Sequence, residues 1–147
     1  MKIRTITAAA AVALTLAGCA NTSTTRLAQN MVRIDVSAAP ACGRSGAVSV
    51  VSKTAAIETL RYGYDKYVIA GSGTENNIGV YGTNYGYNYA TGGIYATPVI
   101  AGTHDANMTV VMFTRDDPAG AQALDARTAL GPDWQKIVAK GAPNTCG

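Results

Sequence analysis

Residues 31–36 read Met-Val-Arg-Ile-Asp-Val, and residues 66–71 read Lys-Tyr-Val-Ile-Ala-Gly. In the first run apolar Val32, Ile34 and Val36 alternate with charged Arg33 and Asp35, the period of a strand with one buried face. In the second, Tyr67, Val68, Ile69 and Ala70 are apolar on both faces, which predicts a central strand packed under a helix. The chain between them supplies that helix. From Ala47 to Tyr62, and on to Tyr64, the positions Val50, Ile57, Leu60 and Tyr64 fall at helical spacings. Gly63 supplies a left-handed stop. The β-branched Val48, Val50 and Val51 leave the helix start open, at Ala47 or near Ser49 or Ser52. Pro40 and the stretch Gly43 to Gly46 end the first strand, with Cys42 in the turn. Two strands joined by a helix are expected to lie parallel, in the right-handed sense.

Working outward on the C-terminal side, Met108, Val110 and Met112 alternate with Thr109, Val111 and Phe113, giving a third strand that can pair with the second as a hairpin. Asp117 as cap and Pro118 at the first helical position predict a helix to Leu130, stopped by Gly131. A last helical stretch runs from Asp133 to Lys140, with Trp134, Ile137 and Val138 expected to bury one face. The fold class read from this order is α+β: a small mixed sheet of about three strands with helices packed on one face.

One segment departs from this grammar. Residues 71–97 hold seven glycines, five of the eight tyrosines and four asparagines, and read as a low-complexity Gly/Tyr/Asn-rich insert at the tip of the hairpin. Tyr85, Tyr87 and Tyr89 recur at every second residue, so an extended strand would place their rings on one face. With Tyr81 and Tyr95 they form the candidate binding surface, since aromatic rings with a polar tip suit sugar or protein contact. The plainer reading is a flexible or amyloid-like loop with no specific ligand.

On the N-terminal side, Lys2 and Arg4 precede an apolar run from Ala8 to Leu16 and the sequence Leu16-Ala17-Gly18-Cys19. The run is shorter than the roughly 20 residues a permanent spanning helix needs, and the charged start with small residues before Cys19 suits a cleaved signal. Residues 1–18 are read as a lipoprotein signal peptide resembling those read by bacterial diacylglyceryl transferase and lipoprotein signal peptidase. Cys19 is the lipidation site, and residues 19–30 are a polar, Thr-rich tether. The competing reading is an ordinary secretory signal with an accidental cysteine. Ala rather than Asp at position 20 favours, by the enterobacterial sorting rule, the outer membrane facing the periplasm.

Removing residues 1–18 from 147 leaves 129, room for one domain, read as residues 31–147. Ten basic and nine acidic residues remain, so nothing draws this part to nucleic acid. With Cys19 acylated, Cys42 and Cys146 are the remaining cysteines, and an oxidising compartment permits one internal pairing between them. A Cys42–Cys146 disulfide is therefore expected, against the alternative of free or redox thiols, which more often show a Cys-x-x-Cys spacing.

Several segments together are similar to a family of small alphaproteobacterial envelope lipoproteins of no assigned activity. They are Pro-Ala-Cys-Gly-Arg-Ser-Gly at 40–46, Tyr-Gly-Tyr-Asp-Lys-Tyr-Val-Ile at 62–69 and Gly-Thr-His-Asp at 102–105. The likeness continues through Met112, Phe113, Asp117, Pro118, Gly120, Gly131-Pro132, Asp133, Trp134 and Cys146. It covers most of the chain after the signal except the insert, and it implies no substrate or catalytic residue. A looser likeness in topology is to small disulfide-bonded outer-membrane lipoproteins that sense envelope stress.

His104, beside Asp105, is the chain's one histidine and so the one side chain whose ordinary pKa suits general-base work near neutral pH. Ser45, Ser49 and Ser52 are possible nucleophiles, but no Gly-x-Ser-x-Gly elbow accompanies them. A histidine capping a strand start is the plainer reading. One histidine with scattered carboxylates does not make a zinc or calcium set, and Gly71-Ser72-Gly73 lacks the third glycine of a nucleotide loop. The sequence therefore predicts a non-enzymatic structural or interaction module. It has no cofactor or metal, is held to the membrane by lipid on Cys19, and has an envelope protein or peptidoglycan as its possible partner.

Overall fold

The computed structural model describes residues 20–88 and 90–146. The signal peptide, Cys19 and Tyr89 lie outside the described residues. Five strands form the main sheet in the order β1 (Ala20–Ala28), β2 (Met31–Ala38), β6 (His104–Phe113), β3 (Lys66–Asn76), β7 (Leu124–Asp125). Two more, β4 (Gly79–Asn88) and β5 (Gly93–Ala101), pair only with each other. Helix α1 (Gly43–Arg61) covers one face of the main sheet, and α2 (Ala126–Leu130) and α3 (Trp134–Lys140) pack against α1.

The α+β class and the helices on one face agree with the sequence; the strand count does not. Seven described strands lie in two sheets where about three in one were expected. Every pairing is antiparallel, so the sheet is not mixed. The first and second expected strands, now β2 and β3, do run in the same direction, but β6 lies between them and pairs with both. The 20–30 tether is instead strand β1, paired with β2 along nearly its whole length. Its polarity misled: Thr22, Thr24 and Thr25 are β-branched and suit an exposed edge strand, where little need be buried.

Alternation in β2 and β6 builds the core. Val32, Ile34, Val36 and Ala38 from one, and Ala106, Met108, Val110 and Met112 from the other, face α1 and are buried. Each valine, isoleucine or methionine among them, fully buried, contributes about 1.5–3 kcal/mol. From above, α1 inserts Ala47, Val50, Val51 and Ala55. The helix begins a turn earlier than expected and ends as expected, with Gly63 at φ 84°. Because α1 is covered on two sides, Thr54 and Thr59 are buried as well. Their hydroxyls donate to the carbonyls of Val50 (2.8 Å) and Ala55 (2.7 Å), one turn back.

Three local expectations are corrected. Tyr67 is buried under α1, but Val68, on the opposite face of β3, is exposed, and so is Ile69, where the pairing with β6 becomes irregular. The single helix from Pro118 to Leu130 is broken: Asp117 caps only a 3-10 turn at Pro118–Gly120, the chain then pairs with β3 as β7, and Asp125 caps α2. Two good caps in one stretch, with Gly120 between them, favour two short elements over one long helix. In α3, Trp134, Ile137 and Val138 are half-buried and none is fully buried.

Cys42 and Cys146 are joined, 104 residues apart in sequence and 5.6 Å between Cα atoms. The bridge passes over the first turn of α1, where a Cβ on Gly46 would come within 2.9 Å of the Cβ of Cys146. The amide of Ala20 donates to the carbonyl of Asn144 at 2.9 Å, so the end of the chain is also tied to the start of β1.

Candidate functional site

The Gly/Tyr/Asn segment is not an irregular insert. Its first residues, Gly71 to Asn76, extend β3 in the main sheet beside β6, and the remainder forms the β4–β5 hairpin. The chain thus continues past the ends of β3 and β6 as an arm made of β4 and β5. Residues 76–103 contain no Asp, Glu, Lys, Arg or His, with Glu75 and His104 bounding the run.

The root of the arm is built from specific contacts. The Asn77 amide donates to the carbonyl of Thr103 at 2.9 Å. One carboxylate oxygen of Asp105 accepts from the Asn77 side chain at 2.6 Å, and the other accepts from the Ser37 hydroxyl at 2.7 Å. These hydrogen bonds, that from Ser37 first, hold the Asp105 carboxyl below its ordinary pKa. Gly102 sits at φ 126°, and a Cβ there would run into the Asn77 carbonyl, so the chain turns from β5 into β6 on a glycine.

Register separates the two faces of the arm. Ile94, Ala96, Pro98 and Ile100 lie on one side of β5, and their partners on β4 are Tyr87, Tyr85, Thr83 and Val80. On the opposite side Tyr95, Thr97 and Val99 pair with Gly86, Asn84 and Gly82. The first face is apolar apart from Thr83, and it is open: Val80 is 66 % exposed, Tyr85 76 %, Ile94 77 % and Ile100 59 %. The second face mixes amide, hydroxyl and glycine with two exposed apolar side chains, Val99 and Tyr95, the Tyr95 ring lying across Gly86, where a β-carbon would collide with it.

The five candidate tyrosines therefore do not form one strip. Tyr85 and Tyr87 alternate along β4 as the sequence suggested, Tyr81 falls at a bulge between Val80 and Gly82, Tyr95 belongs to the opposite face, and Tyr89 lies outside the described residues. The side chains that complete the apolar face are Val80, Ile94 and Ile100. No alternation in residues 94–100 singles them out, since Tyr95 and Val99 are apolar as well; the pairing of β5 with β4 sets the face.

His104 and Asp105 are adjacent in β6 and so project to opposite faces of the sheet. Asp105 belongs to the open polar face with Ser37, whereas the Nδ1 of His104 is buried and has no hydrogen-bond partner among the described residues. Ser45, Ser49 and Ser52 are carried by α1. Around Asp105 the open face forms a shallow depression of about 410 Å³ lined by Asn21, Ser23, Asp35, Glu75 and Asn107 among others. Asp35 is already paired with Arg33 at 3.0 Å. Among the described residues no group of three or more His, Cys, Asp or Glu is placed to hold a metal, and no helix is long and apolar enough to cross a membrane. Compared with known proteins, the chain matches no family model, no curated protein and no solved structure.

Proposed function

We propose that this chain is a membrane-anchored envelope lipoprotein, a non-enzymatic interaction module whose β4–β5 arm is its contact surface. The observation that carries the reading is the arm itself: an uncharged hairpin with one apolar face that nothing among the described residues covers. Solitary exposed apolar side chains are ordinary, but a contiguous apolar face marks a contact site. The anchoring half of the reading rests on the signal-like residues 1–18 and on Cys19. The Cys42–Cys146 bridge fits an oxidising compartment. The resemblance to small alphaproteobacterial envelope lipoproteins belongs to this proposal and supports the same location.

The test is crosslinking in intact envelopes, comparing the full chain with one in which residues 79–101 are replaced by a short glycine-serine turn. Adducts are identified by mass spectrometry for lipid, protein and glycan. Adducts lost with the arm support the reading. An unchanged set of adducts overturns it. Cell-wall glycan among the lost adducts would favour sugar stacking on the exposed rings of Tyr81 and Tyr85.

A further inference from the structure

The cross-strand register places the arm and the start of the described chain at one end of the sheet. Ala20 pairs with Ala38, Ala38 with His104, and His104 with Asn76, in a single row. At a strand spacing of about 4.8 Å, three steps along this row put the root of the arm about 14 Å from Ala20. Residues 1–19 thus join the fold at the edge from which the arm departs. No tether intervenes, because Ala20 is already buried and hydrogen-bonded in the fold. An anchor at Cys19 would hold this edge, and not the opposite one, against the lipid.

We propose that the partner of the arm is that same bilayer, with the Val80, Tyr85, Ile94, Ala96, Pro98 and Ile100 face lying in the boundary between headgroups and acyl chains. The inference rests on the reading of the arm as a contact surface. Three features select lipid over a protein partner. First, the absence of charge over residues 76–103 removes the desolvation cost that a lysine or carboxylate would bring to this depth. Second, tyrosine favours the interface, where the ring is apolar and the hydroxyl stays wet. Third, strands of ten and nine residues are about 30 Å long, enough to lay a continuous apolar edge on the membrane.

The arm does not cross the bilayer alone. Each of its strands has one unpaired edge, and unpaired backbone groups are not tolerated in hydrocarbon. An arm lying flat keeps Asn84 and Thr97, with Tyr95 and Val99 beside them, toward water and sinks only the opposite side chains, as an amphipathic helix does. With no lysine or arginine in the arm, its hold on lipid is independent of anionic headgroups. Its consequence for the domain is orientation: a lipid on Cys19 fixes one point, and the arm fixes a second.

The experiment reads depth by tryptophan quenching. The full chain carrying Tyr85→Trp is reconstituted into zwitterionic phospholipid vesicles with brominated acyl chains. The unsubstituted chain supplies the background. Its one tryptophan, Trp134, stacks over Arg127, which pairs with Asp65 beside the far end of the sheet. The added emission is expected to fall about twofold or more against unbrominated vesicles, unchanged by high salt, with Asn84→Trp on the opposite face quenched markedly less. Absence of quenching at position 85, or equal quenching at 84 and 85, overturns the proposal. Absence of quenching combined with protein or glycan adducts that still depend on the arm overturns the lipid assignment and leaves the contact reading standing. If the adducts do not depend on the arm either, both fall.

Discussion

The pairs β3–β6 and β4–β5 are successive parts of one long antiparallel excursion of the chain, yet they follow different rules. In β6, apolar and polar residues alternate and the apolar set is fully claimed by α1: Val110 and Met112 are buried to within 1 %. In β4–β5 one side is apolar but for Thr83 and the other mixes Tyr95 and Val99 with amide, hydroxyl and glycine, and among the described residues no element lies over the apolar side. Charge divides the two parts as well. Lys66, Glu75, Asp105 and Arg115 all lie outside the uncharged run of residues 76–103. A hydrophobic alternation covered within the chain is a folding signal. An apolar side left uncovered, and stripped of charge, is a signal about the chain's surroundings.

The sharpest way to break that comparison is to place the same charge on both parts. Val110→Asp buries a carboxylate under α1 with no partner and is expected to cost several kcal/mol, enough to abolish cooperative unfolding in a domain of this size. Ile94→Asp, on an open face, is expected to shift stability by no more than about 0.5 kcal/mol. Thermal melts followed by circular dichroism check both. A large loss of stability from Ile94→Asp would mean that the arm is part of the folding core and not an appendage.

The next largest effect concerns how the sheet domain is closed. Reducing Cys42–Cys146 opens a loop of 104 residues, which by chain entropy alone removes about 4.7 kcal/mol, with about 2–5 kcal/mol usual for a native bridge in a small secreted domain. Denaturant titration with and without reductant measures it. Since Ala20 is tied to Asn144, reduction is also expected to loosen the start of β1, while amide protection in β4–β5 changes little. Loosening of the arm instead would place its stability under the control of the bridge.

Much of the main sheet was legible in the sequence because period and burial coincide there. Val32, Ile34 and Val36, and Met108, Val110 and Met112, alternate and are buried as alternation requires. The Gly63 and Gly131 stops followed from local chemistry, the hairpin of the second and third expected strands from their patterns, and the Cys42–Cys146 bridge from the count of remaining cysteines. The edge strand β1 was not legible, since its pairing buries little more than Ala20 and leaves a polar, Thr-rich surface that reads like a linker. The break between the Pro118 turn and α2 depended on β7 pairing with β3, a long-range contact that the run of small residues does not announce. In the arm, the tyrosine spacing was readable. That Ile94, Ala96, Pro98 and Ile100 complete the face of Tyr85 was not, because it depends on which residue of β5 opposes which residue of β4.

The smallest expected effect lies at the junction of the two parts, where Asp105 joins Ser37 of the sheet to Asn77 of the arm. Its carboxyl is held below the ordinary 3.8 chiefly by the hydrogen bond from Ser37, with burial opposing it and the further hydrogen bonds, that from Asn77 among them, adding to it. A depressed folded value means that the stabilisation is fully present above the ordinary carboxylate range and is lost as pH falls through 3.8 and then the lower folded value. The Asn77 amide, bonded to Thr103, reports this locally by hydrogen exchange. Its protection is expected to decline on acidification below about pH 4 and, with Asp105→Asn, to be weaker at neutral pH and nearly insensitive to acid. Asp125, lowered chiefly by the backbone amide of Thr128 at the start of α2, provides the control: the Thr128 amide should keep its own acid dependence in that variant. Loss of acid dependence at both amides would mean that the arm root and the helix cap unfold together. Retention of it at Asn77 in the variant would mean that the Asp105 carboxylate does not govern the root of the arm.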